Sequence, residues 1–270
     1  MRRFTRLALA AFLLTGALVA SAPDALAVQN KDDKTTPTAE QVAETVVLVF
    51  GQRPVLAQVR RSGIERGRLT RSLEEGRSEE ITYERSFKRG ESVEKDKVRL
   101  SQKRLNQEYA LVYNEGRVWG VVKGTTFTPR QEDVDDLLSD THHSLDALLR
   151  YKENGATVAF IGKDRQKNIE MWILDLTDKD KKKTRYYISA STGRVLWLEY
   201  EDAPAGAASP VKYKRTFHDY RIIQGTRVPF RSVLYAGDRQ VEEELVLNVV
   251  YGVKMDDDIF KNPEAASAQP

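Results

Sequence analysis

The chain has 270 residues and no cysteine; 40% are hydrophobic and 31% charged, with 43 Lys and Arg against 40 Asp and Glu for a formal net charge of +3. Lack of cysteine excludes a disulfide scaffold, thiolate zinc or iron–sulfur ligation, a cysteine nucleophile and a lipidated N-terminal cysteine. Charge so nearly balanced speaks against nucleic acid as a partner.

Arg2, Arg3 and Arg6 precede an apolar run from Leu7 to Ala20, broken only by Thr15 and Gly16, and Ala25-Leu26-Ala27 supplies small residues for cleavage. Residues 1–27 therefore read as a secretory signal peptide, with the bacterial periplasm as the expected address. The run is shorter than the roughly 20 residues a membrane-spanning helix needs. Residues 28–37 and 264–270 are polar or small, so both ends are expected to be disordered around one folded domain over 38–263.

Within that domain, Thr38 is placed to cap a helix whose Val42, Val46, Val49 and Phe50 fall on one stripe and which ends near Gly51, before Pro54. From about Ile64 to Val122 the period changes to two. Ile81, Tyr83 and Phe87 share one strand face, interrupted by Arg85, and Tyr109, Leu111 and Tyr113 share another. Turn chemistry at Glu75-Gly76, Arg89-Gly90 and Asn114-Glu115-Gly116 predicts successive antiparallel hairpins. A helical stretch follows, with Thr128 as cap, Pro129 in the first turn and acids at 132, 133, 135 and 136; Ser139-Asp140-Thr141 is the expected division between two helices. Strands resume at Thr157 and run in seven segments to Tyr251, with a small-residue linker over 201–210.

About ten strands with helices in two places predict a mainly β (α+β) fold, a curled antiparallel sheet or half-open barrel with an N-terminal helix and a helical insertion. No βαβ alternation points to a nucleotide-binding sheet. A large sheet coils and presents a concave face. The inserted helices either fill that hollow or roof a cavity for an apolar guest, and periodicity leaves both outcomes open.

Several strings in order carry a resemblance: Tyr113-Asn114-Glu115-Gly116-Arg117-Val118-Trp119, Ser144 to Arg150 (SLDALLR), Tyr187 to Arg194 (YISASTGR), Asp219-Tyr220-Arg221 through Val228-Pro229-Phe230, and Asp256-Asp257-Asp258-Ile259-Phe260 before Pro263. In these the chain resembles the LolA-like periplasmic, outer-membrane lipoprotein-sorting-like proteins. The resemblance implies a half-open barrel with a helical lid and a non-enzymatic carrier or binder of lipid, lipoprotein acyl chains or another apolar ligand, without a cofactor. An envelope membrane acceptor or membrane surface is the implied partner. Acyl chains lose about 0.8 kcal/mol per CH₂ exposed to water, so crossing an aqueous compartment calls for such a cavity. The cavity and lid residues are then expected to be Trp119, Val121, Leu138, Leu145, Leu148, Leu149, Trp172 and Trp197. The family's lid-latching arginine has five candidates here: Arg60, Arg61, Arg66, Arg68 and Arg71. The different reading is an envelope scaffold whose hollow is filled by its own side chains.

Other constellations read more plainly. His142-His143 point about 100° apart on a helix, where paired ligands stand four residues apart, so a solvated helix face is expected. His218-Asp219 has no nucleophile elbow to serve. Asp256-Asp257-Asp258 lacks EF-hand spacing and reads as a solvated turn. Lys179 to Arg185 (KDKKKTR) is a basic hairpin tip able to meet anionic headgroups, or a solubilising turn.

Overall fold

The computed structural model describes residues 36–73, 76–203 and 209–262; the expected leader and polar start over 1–35, Glu75 of the expected first turn, the middle of the 201–210 linker and the tail from Pro263 lie outside them. Among the described residues, helices α1 (Ala39–Phe50) and α2 (Arg53–Val59) precede six strands, β1 (Ser62–Ser72), β2 (Ser78–Lys88), β3 (Lys97–Arg104), β4 (Gln107–Asn114), β5 (Arg117–Val122) and β6 (Thr125–Phe127). Helices α3 (Gln131–His142) and α4 (Leu145–Leu149) follow. Seven further strands complete the chain: β7 (Thr157–Gln166), β8 (Ile169–Thr177), β9 (Lys183–Ser189), β10 (Val195–Asp202), β11 (Val211–Ile223), β12 (Thr226–Ala236) and β13 (Arg239–Tyr251).

All thirteen strands form one antiparallel sheet in the order β6-β5-β4-β3-β2-β1-β13-β12-β11-β10-β9-β8-β7. Two meanders meet where β1 pairs with β13, and β6 and β7 remain as edges, so the sheet does not close into a barrel. It does curl. Helix α1, about 18 Å long, touches β7, β8 and β12, although β7 and β12 are five strand spacings, about 24 Å, apart in a flat sheet.

The expected cap of α1 is present: Thr38 Oγ1 accepts from the Gln41 N–H at 3.2 Å and Gln41 Oε1 accepts from the Thr38 N–H at 2.8 Å. Gly51 ends the helix at φ 141°, beside Gly225 and Thr226, where a side chain would crowd the backbone. Pro54 does not halt the helical region. It occupies the first turn of α2, a position where its missing N–H costs nothing, and the sequence reading missed this second helix for that reason.

Val42, Val46 and Phe50 of α1 bury against Leu174, Leu176, Tyr186, Ile188 and Leu198 of β8–β10, and Leu148 and Leu149 of α4 join this cluster. A second cluster on the same face gathers Leu69, Ile81, Tyr83, Leu100, Leu111 and Tyr113 around Leu137 of α3. On the other face of β4 and β5, Val112 and Val121 lie under Phe260, with Trp119, Met255 and Ile259 packed alongside. Asp257 pins that C-terminal segment to Lys88 and Lys97, so the three-aspartate turn is an ion-paired fastening.

Candidate functional site

Helices α3 and α4 cross the inner face of the sheet. The start of α3 corrects the expected cap: Arg130 occupies the N-cap position and makes no capping hydrogen bond through its side chain, and it pairs instead with Asp133 at 3.1 Å. The break between the helices falls at His143-Ser144, where the Ser144 hydroxyl accepts from the Ala147 N–H at 3.1 Å.

Of the α3 residues, only Leu137 is buried. Much of its fastening is ionic: Arg71 of β1 reaches Asp136 at 3.2 Å and Arg215 of β11 reaches Asp140 at 2.6 Å. At its end, His143 stacks on Tyr200 with centroids 4.0 Å apart and bonds Thr184 at 2.7 Å. This buried imidazole replaces the expected solvated one, and burial lowers its pKa to about 4, so it is neutral at pH 7. Helix α4 carries Asp146 to Arg60 (3.3 Å) and to Arg89. Burial pushes this carboxyl up, yet Arg89, Arg60 and Arg150 together hold it below its usual range. Beyond α4, Arg150 binds Asp96 at 2.7 Å and the Gly90 carbonyl at 2.9 Å.

A cavity of about 240 Å³ lies between these helices and the sheet. Phe87, Val98, Leu145, Phe217, Val228 and Val246 supply its apolar lining, and Arg60, Glu65, Arg85, Asp146, Arg215 and Glu244 its charged one. The charges are organised by register. Glu65 stands opposite Arg85 across β1 and β2, with Arg85 Nη1 at 3.2 Å and the Tyr83 hydroxyl donating at 3.1 Å. Burial raises the pKa of Glu65, with Glu244 adding repulsion and Arg85 opposing both. Arg71 likewise stands opposite Glu242 across β1 and β13. Burial and the nearby Asp140 raise Glu242 to about 7, against Arg215 and Arg71. Burial raises Asp136 to about 6 despite Arg71. Five carboxylates (Glu65, Asp136, Asp140, Glu242 and Glu244) thus meet three guanidiniums (Arg71, Arg85 and Arg215) where α3 faces the sheet. Among the described residues the Arg215 Nε has no hydrogen-bond partner.

The structure divides the expected site residues between the two faces. Leu145, Leu148, Leu149 and Trp172 pack with the α1 cluster, and Leu138 packs with the cluster around Leu137. Of these, Leu145 lines the cavity. Trp119 and Val121 belong to the opposite face, under Phe260. Trp197 also stands there, stacked on Tyr187 at 4.5 Å with the Lys214 ammonium 4.6 Å from its ring centroid, while its neighbour Leu198 points inward. Among the arginine candidates, Arg60 and Arg71 reach the helices; Arg60 retains 7% side-chain exposure and also donates to Thr226 and the Arg227 carbonyl. Sequence reasoning missed the charged lining, Arg85 and Arg215 with Glu65, Glu242 and Glu244. The signal was Arg85 itself, a cation on an otherwise apolar strand face.

Elsewhere, His142 at the end of α3 and Asp178 and Asp180 of the β8–β9 turn bring three ligand-type atoms within 4.8 Å of one another, the turn also holding three lysines, Lys179, Lys181 and Lys182. No described helix is long and apolar enough to cross a membrane.

No family profile matches the sequence. No curated protein sequence matches it either. Solved structures do. A LolA superfamily protein from Nitrosomonas europaea aligns with a TM-score of 0.57 at 11% identity, covering 84% of this chain and 98% of that one. A DUF1329 family protein from Desulfovibrio piger gives 0.57 at 13%, covering 87% and 100%. An outer membrane lipoprotein-sorting protein domain from Vibrio parahaemolyticus gives 0.51 at 8%, covering 74% and 89%. At such identities the likeness is one of fold, and the fold is LolA-like.

Proposed function

We propose that this protein is a non-enzymatic binding or carrier protein of the bacterial periplasm, holding lipid, a lipoprotein's acyl chain or another largely apolar molecule between the sheet and the α3–α4 roof. The observation that carries the reading is how the roof is fastened. Helix α3 spans a cavity, buries one side chain, and is tied down through Asp136 and Asp140. Ion pairs exchange for water at little net cost, about 0–1 kcal/mol where solvent reaches them, whereas interlocked apolar side chains do not. Lifting such a helix withdraws one buried apolar side chain, Leu137, from the core. Beneath it, Phe87, Val98, Leu145, Phe217 and Val246 offer an apolar wall to a chain. The LolA-like fold supports the same reading at the level of architecture.

The test is recovery of a ligand. Organic extraction of natively purified protein followed by mass spectrometry is expected to yield stoichiometric lipid, and an apolar fluorescent probe is expected to bind. Leu145→Asp should weaken probe uptake about tenfold, because it places a charge on the apolar wall, whereas Trp197→Ala on the opposite face should leave uptake unchanged. Repeated absence of lipid, with equal uptake by wild type and Leu145→Asp, overturns the carrier and favours a self-filled scaffold.

A further inference from the structure

We propose that an arginine-lined cleft at the mouth of this cavity binds the phosphate of an anionic amphiphile, whose apolar part lies under the roof. The inference rests on the binding reading above and names the class of ligand. The cleft, about 340 Å³, opens between α2, the end of β2 and α4. Arg53, Arg60, Arg61, Arg89 and Arg150 line it, against only Glu91 and Glu153. Arg60, Arg89 and Arg150 also line the roofed cavity, so the two spaces adjoin through these side chains.

The five guanidiniums are not equally committed. Arg60 donates to Thr226, Asp146 and the Arg227 carbonyl. Arg150 donates to Glu153, Asp96 and the Gly90 carbonyl. Arg53 is held by Glu44 and the Leu149 carbonyl. Arg89 has one charged partner, the Asp146 it shares with Arg60, and among the described residues Arg61 has none.

Position makes that pair telling. The Arg89 N–H donates to the Arg61 carbonyl at 2.8 Å, one step beyond the Ser62–Lys88 pairing, so two like charges stand opposite each other at the end of the β1–β2 ladder. Such a pair is destabilising unless an anion lies between. Asp146, delivered by the roof, answers Arg89 and leaves Arg61 unanswered. A phosphate fits the remaining donors, since a guanidinium presents its N–H groups as a planar fork matched to phosphate oxygens. Phe87, Leu145, Phe217 and Tyr251 continue from the shared arginines into the cavity, which sets the apolar portion of the ligand beside its headgroup.

Calorimetric titration of the full chain with three soluble probes tests this: dihexanoyl phosphatidic acid, dihexanoylglycerol and glycerol 3-phosphate. Phosphatidic acid should bind at least about tenfold more tightly than either of the others. Arg61→Ala, at an exposed side chain without a charged partner among the described residues, should remove about threefold to tenfold of that affinity and leave dihexanoylglycerol unchanged. Adding Arg89→Gln should bring the two lipids level. Equal binding of both lipids by wild type overturns the headgroup site and leaves the carrier reading intact. Binding of neither lipid overturns both. Glycerol 3-phosphate binding as tightly as phosphatidic acid marks a free-phosphate site and overturns the coupling to an apolar chain.

Discussion

The inner face of one continuous sheet is finished in two ways. Under α1, strands β8–β10 present Leu174, Leu176, Tyr186, Ile188 and Leu198, and the helix fills the curl with Val42, Val46 and Phe50. Under α3, the same face carries Glu65, Arg85, Arg215, Glu242 and Glu244 beside a cavity. The first half gains free energy from every apolar group it removes from water. The second gains less: beside the cluster around Leu137, desolvating paired charges consumes most of what their attraction returns. The α1 half therefore holds the fold, and the charged half is kept for something other than stability.

That contrast breaks if a core truncation under α1 proves cheap. Phe50 is fully buried and meets Tyr220 edge-on at 5.7 Å, so Phe50→Ala is expected to cost about 3–5 kcal/mol in urea unfolding. Arg85→Met should cost about as much for the opposite reason, leaving Glu65 and Glu244 facing each other without a cation. The sharper measurement is the triple replacement Glu65→Leu, Arg85→Met and Glu244→Leu. It is expected to be neutral or to stabilise by about 1–4 kcal/mol, while changing ligand binding. A triple variant as unstable as Arg85→Met would show that the charged half supports the fold after all.

Much of the α1 half was legible in the sequence because its signals are local. Thr38, the Val42–Val46–Phe50 stripe and Gly51 lie within one helix, and reading them needs no distant partner. The charged half was not, because its partners are remote: Arg85 meets Glu65 across a hairpin and Glu244 across the meeting of the two meanders. Arg60 stood among five equivalent arginines until the fold brought Asp146 to it. Strand alternation says that Trp197 and Leu198 face opposite ways. Which of the two faces inward depends on where α1 sits, and for Trp119 on the return of Ile259 and Phe260.

A smaller effect separates the halves by pH. Glu242, facing Arg71, Asp136, Asp140, Arg215 and Glu244, has a folded pKa of about 7, raised by burial and then by Asp140. Between the ordinary carboxylate range and pH 7 the folded chain keeps a proton that the unfolded chain has released. Glu242 therefore contributes stability that is complete at acid pH and lost as pH rises through 7. His143 works in the opposite sense, since its folded pKa of about 4 lets stability rise with pH through the normal histidine range. Comparing wild type with Glu242→Gln cancels that histidine contribution. Wild-type stability relative to the variant should fall by on the order of 1 kcal/mol between pH 6 and 7.5. The loss belongs to the contacts of α3, so hydrogen-exchange protection factors, which remove the intrinsic base catalysis of exchange, should fall along Gln131–His142 over the same interval and stay constant along Ala39–Phe50. A flat difference, or an equal fall of protection in both helices, would mean that the charged half and the α1 half open as a single unit.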